Sequence, residues 1–322
     1  MLVVLLALLC LASLAWGARD VPLHAVIDAL VDPVPGNQDH IAVRDQRLAR
    51  TLAGLLAGLA LGVAGGLLQG LTRNPIADPG LLGINSGSSL AVVGAIAVLG
   101  ITSPAGFVWF AFAGAAVAAT VVYAVASLGG GGATPVKLAL VGAAFTAGAT
   151  SLITVVLITD YTVLADYRFW QVGSLVNRPM DTVAVVAPFV AVGLVLALAS
   201  ARFLNAMALG DDLARGLGQR VGLGRALVCA AVVLLCGSAT SLAGPIAFVG
   251  LAVPHLARAV VGPDQRWILP WSALLGPTLL IAADVLGRLL VRPAELEVGI
   301  VVAFLGAPVL IALVRTQKAV AM

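Results

Sequence analysis

Residues 73–80, "RNPIADPG", set two charges and two prolines between runs made almost wholly of Ala, Val, Leu, Ile and Gly. From 79 to 136 no Asp, Glu, Lys or Arg occurs at all. At about 20 residues per crossing of a bilayer's hydrocarbon, that interval alone holds two or more spans with their connection. Its apolar residues run continuously instead of alternating, so the spans are helical and not barrel strands. The octet then reads as a compact turn at the membrane surface. A residue before proline is pushed out of the α region, and an Asn or Asp side chain can hold a tight turn.

The whole chain fits that reading. Of 322 residues, 61% are hydrophobic and 10% charged, against about 25% charged in an ordinary soluble domain. Cutting at charges, prolines and glycines gives ten candidate spans, near 1–17, 48–70, 81–100, 105–128, 137–159, 183–202, 225–243, 246–261, 268–287 and 297–314. The fold class is an all-α polytopic membrane protein, a single domain over 1–322. The eighth span is the shortest and contains Pro254, so a tilt, a kink or partial unwinding is expected there. Residues 1–17 lack a basic start, and Trp16 followed by Arg19 and Asp20 resembles an interfacial end; they read as a retained span and not a secretory signal.

An even number of spans puts both termini on one side, and the Lys and Arg of the loops place that side in the cytoplasm. Arg47, Arg50, Arg178 and Arg288 then fall outside, a surplus that topology alone disfavours. The first outer loop, 18–46, carries five aspartates and is broken at Pro33, Pro35 and Gly36, so it reads as solvated. "GGGG" at 129–132 is a flexible inner turn; Lys137 is misplaced for a phosphate-binding loop and no strand precedes it, so the chain has no nucleotide site.

Several chemistries are excluded. Cys10, Cys229 and Cys236 lack metal-ligand spacing and read as packing residues. His24 and His40 have no third ligand, and His255, next to Pro254, reads as a group that satisfies freed backbone carbonyls. No cofactor or metal is expected, and without a basic run nucleic acid is no partner. A secondary transporter needs ionisable groups deep in the membrane, but Asp160 and Asp284 lie toward outer ends. An intramembrane enzyme needs paired catalytic groups, which His255 does not have.

"QGLTRNPIADPGLLGINSG" (69–87) also closely resembles the signature of the FecCD family, the permease subunits of type II ABC importers for iron-siderophores, haem and cobalamin. The resemblance runs nearly end to end, through "RLAR" (47–50), "WQVGSL" (170–175), "LNAMALGDDLARGLG" (204–218), "AGPIAFVGLAVPHLAR" (243–258), "GPDQR" (262–266) and "AELEVGIVVAFLGAP" (294–308). It implies a ten-span subunit of the type II ABC importer permease fold in the bacterial inner membrane, paired with a second permease copy, either identical or a paralogue. Two ATPase subunits would lie inside and a substrate-binding protein outside. A ferric siderophore is the expected cargo, with haem and cobalamin as alternatives.

The residues agree with those roles. "LGDDLARGLG" reads as a short helix between glycines: Asp211 and Asp212 suit its N-terminal dipole and Arg215 its other end. By resemblance, 204–220 is the segment that couples to the ATPase, through Asn205, Leu209, Gly210, Asp211, Asp212, Ala214, Arg215 and Gly218. Arg47 and Arg50, three apart, share one helix face. With Arg288 they match positions that receive glutamates from the binding protein, although Ala49 stands where the family usually has Pro. Arg73, Asn74, Pro75, Asp78 and Pro79 form the signature turn. Small residues Gly142, Thr146 and Thr150 on the fifth span, and Gly299 and Gly306 on the tenth, are candidate pathway lining, although small residues serve close helix packing equally well.

Overall fold

The computed structural model describes residues 1–17, 21–128, 134–291 and 294–320, and every regular element among them is helical. Ten helices fall on the ten expected spans: α1 (Leu2–Ala15), α4 (Ala49–Thr72), α5 (Ile84–Leu99), α6 (Pro104–Ser127), α7 (Pro135–Thr159), α9 (Met180–Ala199), α12 (Val221–Ala243), α13 (Val249–Val261), α14 (Gln265–Leu290) and α15 (Val298–Val320). Six stretches are long and apolar enough to cross a bilayer unaided, namely those built on α4, α6, α7, α9, α12 and α14; the apolar parts of the other four are shorter. In the expected orientation the outer elements are α2 (Leu23–Val31), α3 (Gln38–Ile41) and α8 (Tyr161–Gln171), and the inner ones α10 (Ala201–Ala208) and α11 (Asp211–Gly216). The expected turn at 129–132, and Arg19, Asp20 and Arg292, lie outside the described residues.

The starts of several helices are written locally. Ser103 and Thr134 cap α6 and α7 through their side chains, and each is followed by proline, whose missing N–H costs nothing in a first turn. Asp160 and Asp264 cap α8 and α14 in the same way.

At the centre lies α4. Gly54, Gly58, Gly62 and Gly66 recur every fourth residue along it and form one smooth ridge. A Cβ at Gly58 would stand 2.5 Å from the Cα of Pro277 on α14. Backbone therefore packs on backbone, which in lipid replaces the missing hydrophobic drive between helices. By contrast α7 is the least covered long helix, with 17% of its most apolar window buried.

Three expectations change. The outer loop 18–46 is not simply solvated: α2 buries Ala25, Val26 and Ala29 together with Val43, and α3 continues through a π-helical turn at Ala42–Leu48 into α4. The second span thus starts near 38 and not 48, because the charges of "VRDQR" sit on a helix that has already begun. The eighth span is partly unwound, as Pro254 suggested, but at its start: residues 244–248 are not helical, Gly244 and Phe248 have positive φ, and α13 begins only at Val249.

His255 does not serve the carbonyls freed by Pro254. The amide of Gln69 on α4 does so, with Nε2 donating to Gly250 O at 3.4 Å and Leu251 O at 3.2 Å, while Oε1 accepts from Arg258 at 3.3 Å. Nδ1 of His255 has no hydrogen-bond partner among the described residues. A side chain from a neighbouring helix reaches the opened carbonyl more directly than the next residue on the same helix, which points one position round.

Candidate functional site

The inner site begins with the octet. Arg73 ends α4 in the left-handed conformation, φ 53°, which turns the chain sharply. Asn74 Oδ1 accepts from Ile76 N at 3.1 Å and Asp78 Oδ1 from Gly80 N at 2.8 Å, so each X-Pro pair closes its own turn. The turn frees the guanidinium of Arg73 to reach Asp211, at 2.8 Å.

Asp211 opens α11, between Gly210 (φ 105°) and Gly218 (φ 80°). Its carboxylate also receives Nη2 of Arg225 on α12, at 2.8 and 3.0 Å. On the preceding helix, Asn205 donates to Asp264 Oδ1 at 2.6 Å and accepts from Gln265 N at 2.9 Å at the start of α14. Hydrogen bonds from Arg266 and Asn205 hold the Asp264 carboxyl well below the usual carboxylate range. The segment 204–218 is thus fastened by polar contacts to α4, α12 and α14. Its other side is free: Asp212 pairs only with Arg215, at 3.0 Å in solvent, and Leu209, Leu213 and Leu217 are each about 60% exposed. Leu213 and Leu217 are four apart across α11, and Leu209 ends α10 just before it; exposed leucines on so polar a segment suit a groove on a partner. Ala214 faces inward and is fully buried.

The outer site gathers Arg47, Arg50 and Arg288, all less than a tenth exposed. Arg47 and Arg288 close the end of α1, whose last carbonyls have no partner within the helix. Arg47 Nη1 donates to Leu14 O and Ala15 O at 2.8 Å each, and Arg288 Nη1 to Ser13 O at 2.9 Å and Trp16 O at 3.2 Å. Cations also suit the negative end of the helix dipole. Asp284, one turn before Arg288, is the buried counter-charge: it pairs with Arg288 and receives Nε and Nη2 of Arg50 at 2.7–3.1 Å. Arg50 Nη1 reaches Glu295 Oε2 at 2.5 Å. Beside them opens a cavity of about 350 Å³, lined by Arg47, Arg50, Arg288, Glu295, Gln38 and Gln46 among others. Arg178 lies apart, its guanidinium on Ser174 O; burial pushes it down to about 10, against the pull of Glu297.

Of the lining candidates, Thr150 is exposed on α7 and Thr146 half-buried, whereas Gly142 is buried. Gly299 and Gly306 are close-approach positions: an added Cβ would fall 2.0 Å from Val172 O and 2.4 Å from Phe248 Cβ respectively.

A family model described as the FecCD transport family matches residues 5–316. The chain belongs to the FecCD transport family. Among its relatives, the ferric enterobactin transport system permease protein FepD of Escherichia coli is 47% identical over 316 residues, covering 98% of this chain and 94% of that one. The probable siderophore transport system permease protein YfiZ of Bacillus subtilis is 40% identical over 312 residues, covering 97% and 93%. A solved chain described as an inward-facing conformation of a metal-chelate type ABC transporter superposes with a TM-score of 0.85 at 26% identity, over 98% of this chain and 97% of that one. This FecCD member is accordingly a multi-pass permease of an ABC importer, a transport subunit and not an enzyme. ATP hydrolysis belongs to a separate subunit, and a substrate-binding protein completes the system.

Sequence reasoning missed Asp284, Glu295, Arg225 and Gln69 as members of these sites. Asp284 and Arg288 did carry a signal: opposite charges four apart inside an apolar helix.

Proposed function

We propose that this chain carries a ferric siderophore across the bacterial inner membrane, with both termini cytoplasmic. It would work with a second permease copy, two ATPase subunits below and a binding protein above. The observation that carries the reading is the fastening of 204–218 to three spans at once. A segment that presents leucines outward and grips α4, α12 and α14 inward can turn a push from an ATPase into helix movement. Coupling residues divide accordingly: Leu209 and Leu213 meet the ATPase, while Asn205 and Asp211 hold the spans.

On the outer face the docking cluster of Arg47, Arg50 and Arg288 meets carboxylates of the binding protein through Arg50, because Arg47 and Arg288 are tied to the end of α1; a guanidinium–carboxylate pairing survives partial desolvation. The exposed side of α7, with Thr146 and Thr150, faces the second copy and the pathway between the two. The siderophore assignment is supported by the relatives named above. Its test is reconstitution with the ATPase and binding protein, followed by titration of the binding protein and uptake assays against ferric chelates, haem and cobalamin. ATP-dependent uptake of a ferric chelate supports the assignment; uptake of haem or cobalamin alone refutes it.

A further inference from the structure

Arg50 is shared by two acids in very different positions. Asp284 sits on α14, 2% exposed, and is gripped by both Arg50 and Arg288, so it stays in place. Glu295 lies in the non-helical connection just before α15, its side chain 24% exposed, and touches Arg50 through Nη1 alone. It also borders the 350 Å³ cavity.

We infer that Glu295 is the chain's own occupant of the arginine receptor, and that a carboxylate of the docking binding protein takes its place on Arg50. This rests on the docking role proposed above. Three guanidiniums face two carboxylates here, so the cluster carries one net positive charge with Glu295 seated and two once it withdraws. An incoming acid finds both room and charge. A partly exposed ion pair is weak enough to exchange, because solvent screens it and can hydrate the departing carboxylate.

Exchange has a consequence for the pathway. Glu295 immediately precedes Leu296, whose N–H donates to Gly287 O at 3.1 Å, and three residues further Gly299 N donates to Gly173 O at 3.0 Å. With Glu295 seated, the start of α15 is fixed to α4 through Arg50 as well as by these two backbone bonds. Withdrawal leaves the backbone bonds and the core packing of Val298, Val301 and Val302 but removes the tie to α4, so docking loosens α15 at its outer end.

The test uses the full permease–ATPase complex in nanodiscs and the binding protein as titrant. Glu295→Gln removes the competing charge and tightens the binding-protein Kd about two- to five-fold. Glu295→Asp, one methylene shorter, keeps the charge but loses the close contact, and tightens it less than Gln does. A spin label at Phe304→Cys, 83% exposed on α15, placed in a background without the three native cysteines, gains mobility on docking in the parent and shows that mobility without docking in Glu295→Gln. If Arg50→Ala leaves the Kd unchanged, the docking role itself fails. If Arg50→Ala weakens docking while Glu295→Gln leaves the Kd unchanged or weaker, or leaves the label unaltered, the exchange is overturned and the docking role stands.

Discussion

Replacing Asp211 with alanine breaks the joint between α11, α4 and α12, and the structure sets the size of the effect. The Arg73 pair is open to solvent, with side chains 38% and 26% exposed, and contributes about 0.5 kcal/mol. Arg225 is only 11% exposed and makes two contacts with the same carboxylate, a charge-assisted bond of about 1.5–3 kcal/mol. Together they hold the segment by about 2–3.5 kcal/mol, so their loss raises its detached fraction roughly thirty- to four-hundred-fold. Hydrogen exchange of backbone amides at 201–217 reads that detachment, and chelate transported per ATP in proteoliposomes reads its consequence. Both change in Asp211→Ala, while the ATPase still co-purifies through Leu209, Leu213 and Leu217. Asp212→Ala, at a side chain almost fully in solvent, leaves both near the parent. Unchanged exchange and an unchanged transport ratio in Asp211→Ala would refute the joint.

Gly58→Leu forces the Pro277 backbone away and should abolish folded protein, seen as loss of the monodisperse peak in detergent. Gln69→Leu strands the carbonyls of Gly250 and Leu251 at about 1–3 kcal/mol, which a thermal shift measures as a lower melting temperature. Double replacement of Leu213 and Leu217 by serine should release the ATPase in co-purification while the melting temperature of the permease stays within a degree or two. The Asn205–Asp264 contact is lost only in acid: Asp264 titrates below the ordinary value of about 3.9, so the contact is fully present above that pH and disappears as pH falls through the depressed value. Loss of protection at 201–208 well above pH 4, measured relative to the intrinsic exchange rate at each pH, would contradict that assignment.

The membrane-embedded helices were largely legible in the sequence because lipid imposes long, unbroken apolar runs. The short helix α11 was legible too, since Gly210 and Gly218 bracket a stretch too polar to span. Less legible was the outer region: "VRDQ" (43–46) reads as loop by its charges, yet it already lies on helix, and Arg47 and Arg50 just beyond it turn inward to α1 and α14. The partners of Arg50 come from residues more than 230 positions away, Asp284 and Glu295, and only the packing of α4 on α14 brings them together. The ridge of glycines on α4 was readable in its spacing of four. Which helix it meets was not, because the complementary Gly276–Pro277 resembles any kink signal. Gln69 was hidden for a similar reason: a polar residue near a span's inner end looks like a boundary until the opened carbonyl opposite is seen.

The central claim is that this permease moves cargo only when pushed through its inner segment by an ATPase. The direct measurement is uptake of radioactive ferric siderophore into proteoliposomes holding the permease, its ATPase and external binding protein, with ATP inside, compared with the permease alone under a proton or sodium gradient. Uptake should occur in the first case and be absent in the second. Accumulation by the permease alone, driven by an ion gradient without nucleotide, would contradict the account.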